Sequence, residues 1–186
     1  MSDFEKKLNE IIRVDQAGEL GAKVIYQGQI AALKLKKDEK TLKLVEHMLE
    51  QEVAHFNYFD EEIKKRRVRP TVMHPIWKAG GFALGFITAM IDKKAAMTCT
   101  TAVEEVIDEH YLEQIKVLEK QEETPDASNK EEVRDMKEKI IRFRQEEIEH
   151  RDIGYENDAA KLAIFKPLSL FIKATTKFAI AVSKKI

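Results

Sequence analysis

Two short motifs combine a carboxylate with an imidazole at a spacing that suits one metal ion. In each, a glutamate stands three residues before a histidine: Glu52 with His55, and Glu147 with His150. On an α-helix such residues lie on the same face, about one turn apart, so both side chains can reach a common ion. A single Glu-x-x-His motif is weak evidence, because both residue types are frequent on solvated helices. Two copies need a better explanation than chance.

A helix with one glutamate in its apolar stripe is predicted before each motif. Glu19 interrupts the stripe of the first predicted helix, and Glu104 interrupts that of a helix spanning 94–122. Glu105 is rotated by about 100° from Glu104, onto the charged face. The chain therefore contains a degenerate repeat, in which a lone glutamate is followed by a Glu-x-x-His motif.

The spacing of these residues supports a common level in a bundle. In an antiparallel helix pair, residues at one level are equidistant from the turn. The midpoint of positions 19 and 52 is 35.5, beside the charged turn at 36–40, and that of 104 and 147 is 125.5, inside the turn-like cluster 124–129. Both hairpins are thus predicted to place their carboxylates and imidazoles together.

These patterns predict an all-α fold, a ferritin-like four-helix bundle with a dimetal centre and two additional helical segments. The 186 residues, 44% hydrophobic with 7 Gly and 4 Pro, suit one helical domain. Thr41 is the predicted cap of the second helix, and the fifth helix is predicted from 130 to 161. The expected parts are a first helix pair (1–66), an apolar interfacial segment (74–92), a second helix pair (94–161) and a basic amphipathic helix (164–186).

Ligand chemistry narrows the metal to iron or manganese. An oxygen-rich set with imidazoles favours these ions over thiolate-binding metals, and four carboxylates can neutralise two divalent cations. Without metal, burial would penalise each charge by several kcal/mol. Taken singly, each glutamate could instead be a partly exposed residue at a helix edge.

The remaining composition restricts partners and compartment. A net charge of −1 gives no indication of nucleic-acid binding, and a single cysteine, Cys99, excludes an internal disulfide and indicates a reducing compartment.

No run of 18 apolar residues exists, so no ordinary spanning helix is expected. The segment 75–91 is either interfacial or a buried helix closing the bundle. The tail 159–186 has six lysines and no acid, which favours membrane contact over packing on the bundle; both segments could also form a dimer surface.

Longer motifs resemble the demethoxyubiquinone hydroxylase family, the di-iron monooxygenases of ubiquinone biosynthesis. The likeness covers nearly the whole chain. It implies two iron ions per chain held by Glu19, Glu52, His55, Glu104, Glu147 and His150, with O2 as co-substrate and a polyprenylated demethoxyubiquinol as substrate. The motifs that carry it are Arg13–Ala22, Tyr26–Gln29, Arg67–Thr71, Gly81–Gly85, Ala102–Glu105 and Glu147–Gly154.

The chemistry implied by this resemblance requires electrons and access to a membrane. No Gly-rich dinucleotide motif is visible, so we expect an external reductant, either NADH through a reductase or the quinone itself. His110 and Tyr111 are candidates for a relay. A polyprenyl tail implies a peripheral protein on the cytoplasmic face of a bacterial inner membrane, or on the matrix side of the mitochondrial inner membrane if the protein is processed. A homo-oligomer or a partner from ubiquinone biosynthesis is also expected.

Two other functions remain open at this stage. Another ferritin-like protein, a ferroxidase or a peroxidase, would share the six ligands without needing the membrane segments. A non-catalytic helical membrane adaptor would instead pair its buried charges with one another and bind no metal.

Overall fold

A computed structural model of the chain describes residues 2–123 and 130–185. Within those residues it contains α-helices and one short 3-10 helix and no strand, so the all-α prediction is confirmed. The helices are α1 (Asp3–Lys36), α2 (Glu39–Arg66), α3 (His74–Ile91), α4 (Lys93–Glu122), α5 (Lys130–Glu156), a 3-10 helix (Ala159–Lys161) and α6 (Phe165–Ser183).

The first hairpin turns where the midpoint of positions 19 and 52 predicts it. Lys37 ends α1 in the left-handed region, with φ of 56°. The cap of α2 is Asp38 rather than the predicted Thr41: the Asp38 carboxylate accepts the Thr41 backbone N–H at 3.1 Å. The Thr41 hydroxyl also donates to Asp38, at 2.7 Å. Both residue types cap helices, and the tight turn leaves only the earlier one outside the helix.

The second hairpin joins α4 to α5. Its predicted turn, residues 124–129, lies outside the described residues. The fifth helix ends at Glu156 rather than at the predicted position 161, because Asp158 adopts a left-handed φ of 70° and the chain continues as a 3-10 helix.

Buried apolar residues flank the level of the predicted ligands on α2 and α5. Along α2, Val45 and Met48 precede Glu52, while Phe59 and Ile63 follow it. These two pairs belong to separate apolar clusters of the core. Along α5, the buried residues Met136, Ile140 and Phe143 precede Glu147. The polar level is therefore enclosed by hydrophobic side chains.

The two additional helices pack on the bundle along part of their surface. α3 lies against α1 at a glycine crossing, where a Cβ on Gly85 would come within 1.9 Å of the Ile25 carbonyl oxygen and one on Gly28 within 2.2 Å of the Phe82 carbonyl oxygen. α6 lies across α4, where Lys173 pairs with Glu105 and Lys177 with Glu109. Across the described ranges, no helix is long and apolar enough to cross a membrane.

Candidate metal centre

The six predicted ligands lie together in the interior. Each is at most 2% exposed. Their side-chain ligand atoms form two overlapping groups, in each of which all atoms lie within 4.8 Å of one another. Glu52 and Glu147 belong to both groups. The first group adds Glu19 and His55, and the second adds Glu104 and His150. The arrangement provides two neighbouring metal positions with two shared carboxylates, while the ligand role itself stays a prediction.

Both imidazoles direct Nδ1 into the cluster. His55 Nδ1 lies 3.0 Å from Glu147 Oε1 and 3.4 Å from Glu19 Oε2. His150 Nδ1 lies 3.2 Å from both Glu52 Oε1 and Glu147 Oε2. Each histidine therefore presents one nitrogen to its own metal position and keeps the other for a different partner.

The outer nitrogen of each histidine contacts a residue from the opposite hairpin. His55 Nε2 lies 2.6 Å from Glu146 Oε2, and His150 Nε2 lies 2.7 Å from Gln51 Oε1. Such contacts fix the tautomer and orientation of a metal-binding imidazole and make it a stronger ligand. With Nε2–H donated outward, Nδ1 carries the lone pair that a metal requires.

Two buried tyrosines hold the carboxylates of the lone glutamates. The Tyr26 hydroxyl donates to Glu104 Oε1 at 2.6 Å, and the Tyr111 hydroxyl donates to Glu19 Oε1. Burial and the surrounding carboxylates raise the pKa of both phenols well above the usual value. Both tyrosines therefore act as hydrogen-bond donors at neutral pH.

Sequence reasoning missed three of these contacting residues, although a signal was present. Tyr26 follows Glu19 by seven residues, as Tyr111 follows Glu104, so both tyrosines lie two turns from a ligand on the same face. Gln51 and Glu146 each immediately precede the glutamate of a Glu-x-x-His motif. Applying the internal repeat to every neighbour of the ligands would have identified all three.

Burial and charge repulsion shift the protonation of the cluster. Burial raises the pKa of Glu52 and Glu104 well above the usual value, and the Glu147 carboxylate raises both further. Burial also opposes the charge on Glu147, but its contacts with both histidines outweigh it and hold the pKa low. For His55, burial would lower the pKa, yet the carboxylates of Glu147 and Glu19 raise it to about 12.

The donor set fits a pair of divalent cations. Within the described part of the chain, Glu52 Oε2 and Glu104 Oε2 are buried without a hydrogen-bond partner. Unpartnered buried polar atoms are rare and costly. Here they converge on one place, and two cations would provide the missing partners and neutralise the carboxylates.

The two proposed relay residues have different positions. Tyr111 contacts Glu19 directly. His110 Nε2 lies 2.8 Å from Gln114 Nε2 and 3.8 Å from Asp15 Oδ1, so its polar contacts are with these residues rather than with a predicted ligand. Burial and the nearby Lys184 lower the pKa of His110 to about 4.

An apolar cavity of about 310 Å³ lies beside the cluster, between α1, α3, α4 and α6. Its wall includes Gly18 and Val103, the residues immediately before Glu19 and Glu104. Trp77 and Ser183 also line it, and the Trp77 indole N–H donates to the Ser183 hydroxyl at 3.3 Å. The cavity therefore borders α1 and α4 next to Glu19 and Glu104, although none of the six predicted ligands itself lines it.

Comparison with known proteins identifies the family. The family model described as "Ubiquinone biosynthesis protein COQ7" matches residues 6–183. The chain belongs to this family. It is 46% identical over 179 residues to the 3-demethoxyubiquinol 3-hydroxylase of Rhodospirillum rubrum, covering 96% of this chain and 78% of that protein. It is 41% identical to the mitochondrial NADPH-dependent 3-demethoxyubiquinone 3-hydroxylases of Dictyostelium discoideum, over 100% of this chain and 83% of that protein, and of Homo sapiens, over 96% and 78%.

The family match confirms the resemblance inferred from the sequence motifs. The matched residues contain all six predicted ligands, α3 and the whole of α6. The additional helices are therefore part of what the COQ7 family model describes. A further carboxylate, Asp108, lies one helical turn after Glu104. It pairs with Arg144 at 2.6 Å and with Arg151 at 3.8 Å, as expected of an ion pair.

Proposed function

We propose that this COQ7 family member hydroxylates the ring of a polyprenylated demethoxyubiquinol, using O2 at a centre of two iron ions. The observation that carries the proposal is the position of the apolar cavity, whose wall includes the direct neighbours of Glu19 and Glu104. A metal pair for oxygen chemistry and a site for an apolar ring are therefore adjacent. The names of the relatives supply the substrate class and the reaction.

Glu52 and Glu147, which belong to both groups of ligand atoms, would help to hold both metals. Glu19 and His55 would complete one position, and Glu104 and His150 would complete the other. When bound, two ferrous ions supply the electrons with which O2 is activated. The chain's own residues orient the ligands and keep the site dry. Tyr26 and Tyr111 hold their protons at Glu104 Oε1 and Glu19 Oε1, which fixes how these two carboxylates face the metals.

The cavity suits a quinol ring better than a whole polyprenyl chain. Its volume of about 310 Å³ is at the lower end of the range for small-molecule sites, and its lining is almost entirely apolar. The ring can enter while the tail stays outside in the bilayer. Apolar walls also exclude water from the reacting ring carbon.

Membrane contact would come from the outer faces of α3 and α6. Exposed apolar side chains on these helices include Phe82 on α3 and Leu170, Phe171 and Phe178 on α6, between 42% and 69% exposed. Exposed apolar clusters of this kind mark interaction surfaces. The basic charge of the tail contributes less than its sequence suggests, because Lys173 and Lys177 pair with acids on α4. The location we propose is the surface of the membrane in which the quinone is made, the bacterial inner membrane or the mitochondrial inner membrane.

The reducing electrons would come from a nicotinamide dinucleotide outside the chain. The Dictyostelium and human relatives are named NADPH-dependent, whereas the sequence suggested NADH or the quinone itself. Tyr111 would lie on the path of the electrons to the metals, because it contacts Glu19 directly. His110 would lie farther from the metals, beside Gln114 and Asp15.

The proposed reaction can be tested with anaerobically reconstituted protein. Metal is counted per chain, then reductant, 18O2 and a short-chain demethoxyquinone are added and the products are examined by mass spectrometry. We expect about two irons per chain and one 18O atom in the hydroxylated ring. Two irons with ferroxidase or peroxidase turnover but no labelled product would favour the other ferritin-like functions. An absence of bound metal would favour the adaptor.

Adjacent glutamates on α4 provide a matched pair of variants. Glu104→Gln removes a predicted ligand, and we expect loss of metal and of product. Glu105→Gln changes the next residue, which contacts Tyr155 and Lys173 instead of the cluster, and we expect it to retain both. Equal losses in the two variants would contradict the assignment of Glu104.

A further inference from the structure

The two halves of the internal repeat differ in the residue that contacts the outer nitrogen of each histidine. The residue that precedes the first motif is a glutamine, Gln51, and the one that precedes the second is a glutamate, Glu146. Because each contacts the histidine of the other hairpin, His55 receives a carboxylate at 2.6 Å and His150 receives a neutral amide oxygen at 2.7 Å. The two histidines are otherwise placed alike, both fully buried with Nδ1 in the cluster.

Each histidine belongs to one metal position only. His55 groups with Glu19, and His150 groups with Glu104, while Glu52 and Glu147 are common to both. Glu146 therefore affects only the metal position of His55, and Gln51 affects only that of His150. A carboxylate behind an imidazole increases its basicity more than a neutral amide oxygen does, and it also adds negative charge near the ion.

We propose that Glu146 makes the metal position at His55 and Glu19 the tighter of the two, so that the centre fills in order, with this position first. The inference rests on the metal centre of the proposed function and deepens it. Glu146 acts through His55 as a positioning residue. A protein with one metal per chain would then be a defined species with its ion at His55 rather than a mixture of two forms.

A second departure from the repeat lies on the same side. Asp15 stands one turn before Glu19 and is buried, with its Oδ1 accepting from Gln114 at 2.5 Å. The matching position one turn before Glu104 is Thr100, which Gln29 approaches at 3.5 Å. A carboxyl group therefore precedes Glu19 by one helical turn, where an uncharged side chain precedes Glu104.

The cation nearest to Glu146 does not cancel this contrast. Arg142 Nε lies 3.0 Å from Glu146 Oε1, but the arginine side chain is 67% exposed and solvent screens its charge. Glu146 Oε2 lies 2.6 Å from His55 Nε2; the Glu146 side chain is only 18% exposed and that of His55 is fully buried. The Glu146 charge is therefore felt more strongly at the metal position than the Arg142 charge is.

Manganese binding to the whole protein tests the inference without relying on turnover. Stepwise affinities are measured by calorimetry with Mn²⁺, and anomalous diffraction from crystals with one equivalent of Mn²⁺ shows which position is occupied. For the natural sequence we expect the ion at His55. Glu146→Gln keeps a hydrogen-bond acceptor of the same shape, and we expect it to weaken the first binding step by about 10- to 100-fold.

The reciprocal variants separate charge from packing. Gln51→Glu is expected to strengthen the second step by a similar factor. The double variant with Gln51→Glu and Glu146→Gln keeps the net charge and composition of the protein, and we expect one equivalent of Mn²⁺ to move to His150. A merely structural role for Glu146 would weaken binding in the double variant without moving the ion.

Two results would overturn the inference. One is equal anomalous signal at both positions with one equivalent of Mn²⁺ in the natural protein. The other is the same occupied position in the double variant as in the natural protein. Either result leaves the proposed function intact, because two metals still bind, whereas a natural protein that takes up no metal would defeat the proposed function instead.

Discussion

Tyr26 on α1 and Glu104 on α4 are joined by a 2.6 Å hydrogen bond across the interior of the bundle, although 78 residues separate them in the chain. The reverse bond, from Tyr111 on α4 to Glu19 on α1, completes the pair. Each lone glutamate is thus held by a tyrosine from the helix that carries the other one. The crossing ties the two hairpins together at the level of the candidate metal centre.

Tyr26→Phe should destabilise the metal-free protein by about 1–3 kcal/mol, because it leaves Glu104 Oε1 buried without its donor. The measurement is chemical denaturation after exhaustive chelation. Tyr58→Phe is the matched control, since it removes a hydroxyl from a partly exposed tyrosine whose ring packs on Phe143. Similar losses for the two variants would mean that the Tyr26 bond contributes nothing specific.

The metal-free protein should lose stability as the pH rises from about 5 to about 9. The raised pKa of His55, about 12, gives stabilisation that is complete below the unfolded value of 6.5 and declines as the pH rises above it. The pKa values of Glu52 and Glu104 are raised above the ordinary value of 4.5, so these two residues lower the free energy of unfolding increasingly as the pH rises beyond 4.5. Glu147, with a lowered pKa, stays ionised and adds no slope in this range.

Unfolding midpoints across that range, with and without metal, test the sign of this dependence. Bound cations replace the protons, so the metal-loaded protein should show a flat or rising profile over the same interval. A metal-free protein that becomes more stable with rising pH would contradict the pKa directions given above.

Gly21→Leu should weaken quinone binding roughly tenfold or more, which corresponds to about 1.4 kcal/mol, and leave metal binding unchanged. Gly21 lines the apolar cavity, and an added Cβ would meet no atom of the described residues within 4 Å. The leucine side chain can therefore occupy the cavity without displacing its walls. Helix propensity alone should stabilise α1 slightly.

The measurement for this variant is the affinity for a short-chain demethoxyquinone, alongside the metal content and the unfolding midpoint. An unchanged affinity in a folded, metal-loaded protein would show that the quinone binds elsewhere.

Phe178→Asp should reduce binding to anionic vesicles several-fold, because it places a charge where we propose contact with lipid. Phe178 is 63% exposed, so the fold should be preserved. The measurement is co-sedimentation with vesicles that contain acidic phospholipid. Arg134→Glu is the control: it changes the net charge by more, but at an exposed residue of α5. If Arg134→Glu lowers binding as much as Phe178→Asp, general electrostatics rather than the apolar face of α6 would explain the attachment.

The sequence was sufficient for the helices and for the gathering of the six residues, because both depend on periodicity. Apolar stripes determine which face of a helix is buried, and a polar residue inside such a stripe must meet others like it. Glu104 rather than Glu105 faces the cluster for this reason. The equal spacing of Glu19 and Glu52 from the first turn predicted their common level equally well.

Other features depended on tertiary contacts that no periodicity reports. The tail lysines seemed free for a membrane, but Lys173 and Lys177 meet acids on α4 that are distant in sequence. The capping of α2 by Asp38 rather than Thr41, and the end of α5 at Glu156, were set by backbone geometry at one or two residues. Asp38 and Thr41 are both residue types that cap helices, so the sequence alone gave no basis for choosing between them.

The crossing of α1 and α3 at Gly28 and Gly85 has a mechanical consequence. The two backbones approach so closely that a Cβ at either glycine would overlap a carbonyl oxygen of the other helix, so a shift that brought a larger residue to the crossing would produce a clash. We therefore expect α3, whose outer face is proposed to contact lipid, and α1, which carries Glu19, to move as one rigid unit. If α3 lies in a bilayer surface as proposed, the depth of α3 would determine the distance between the candidate metal centre and that surface.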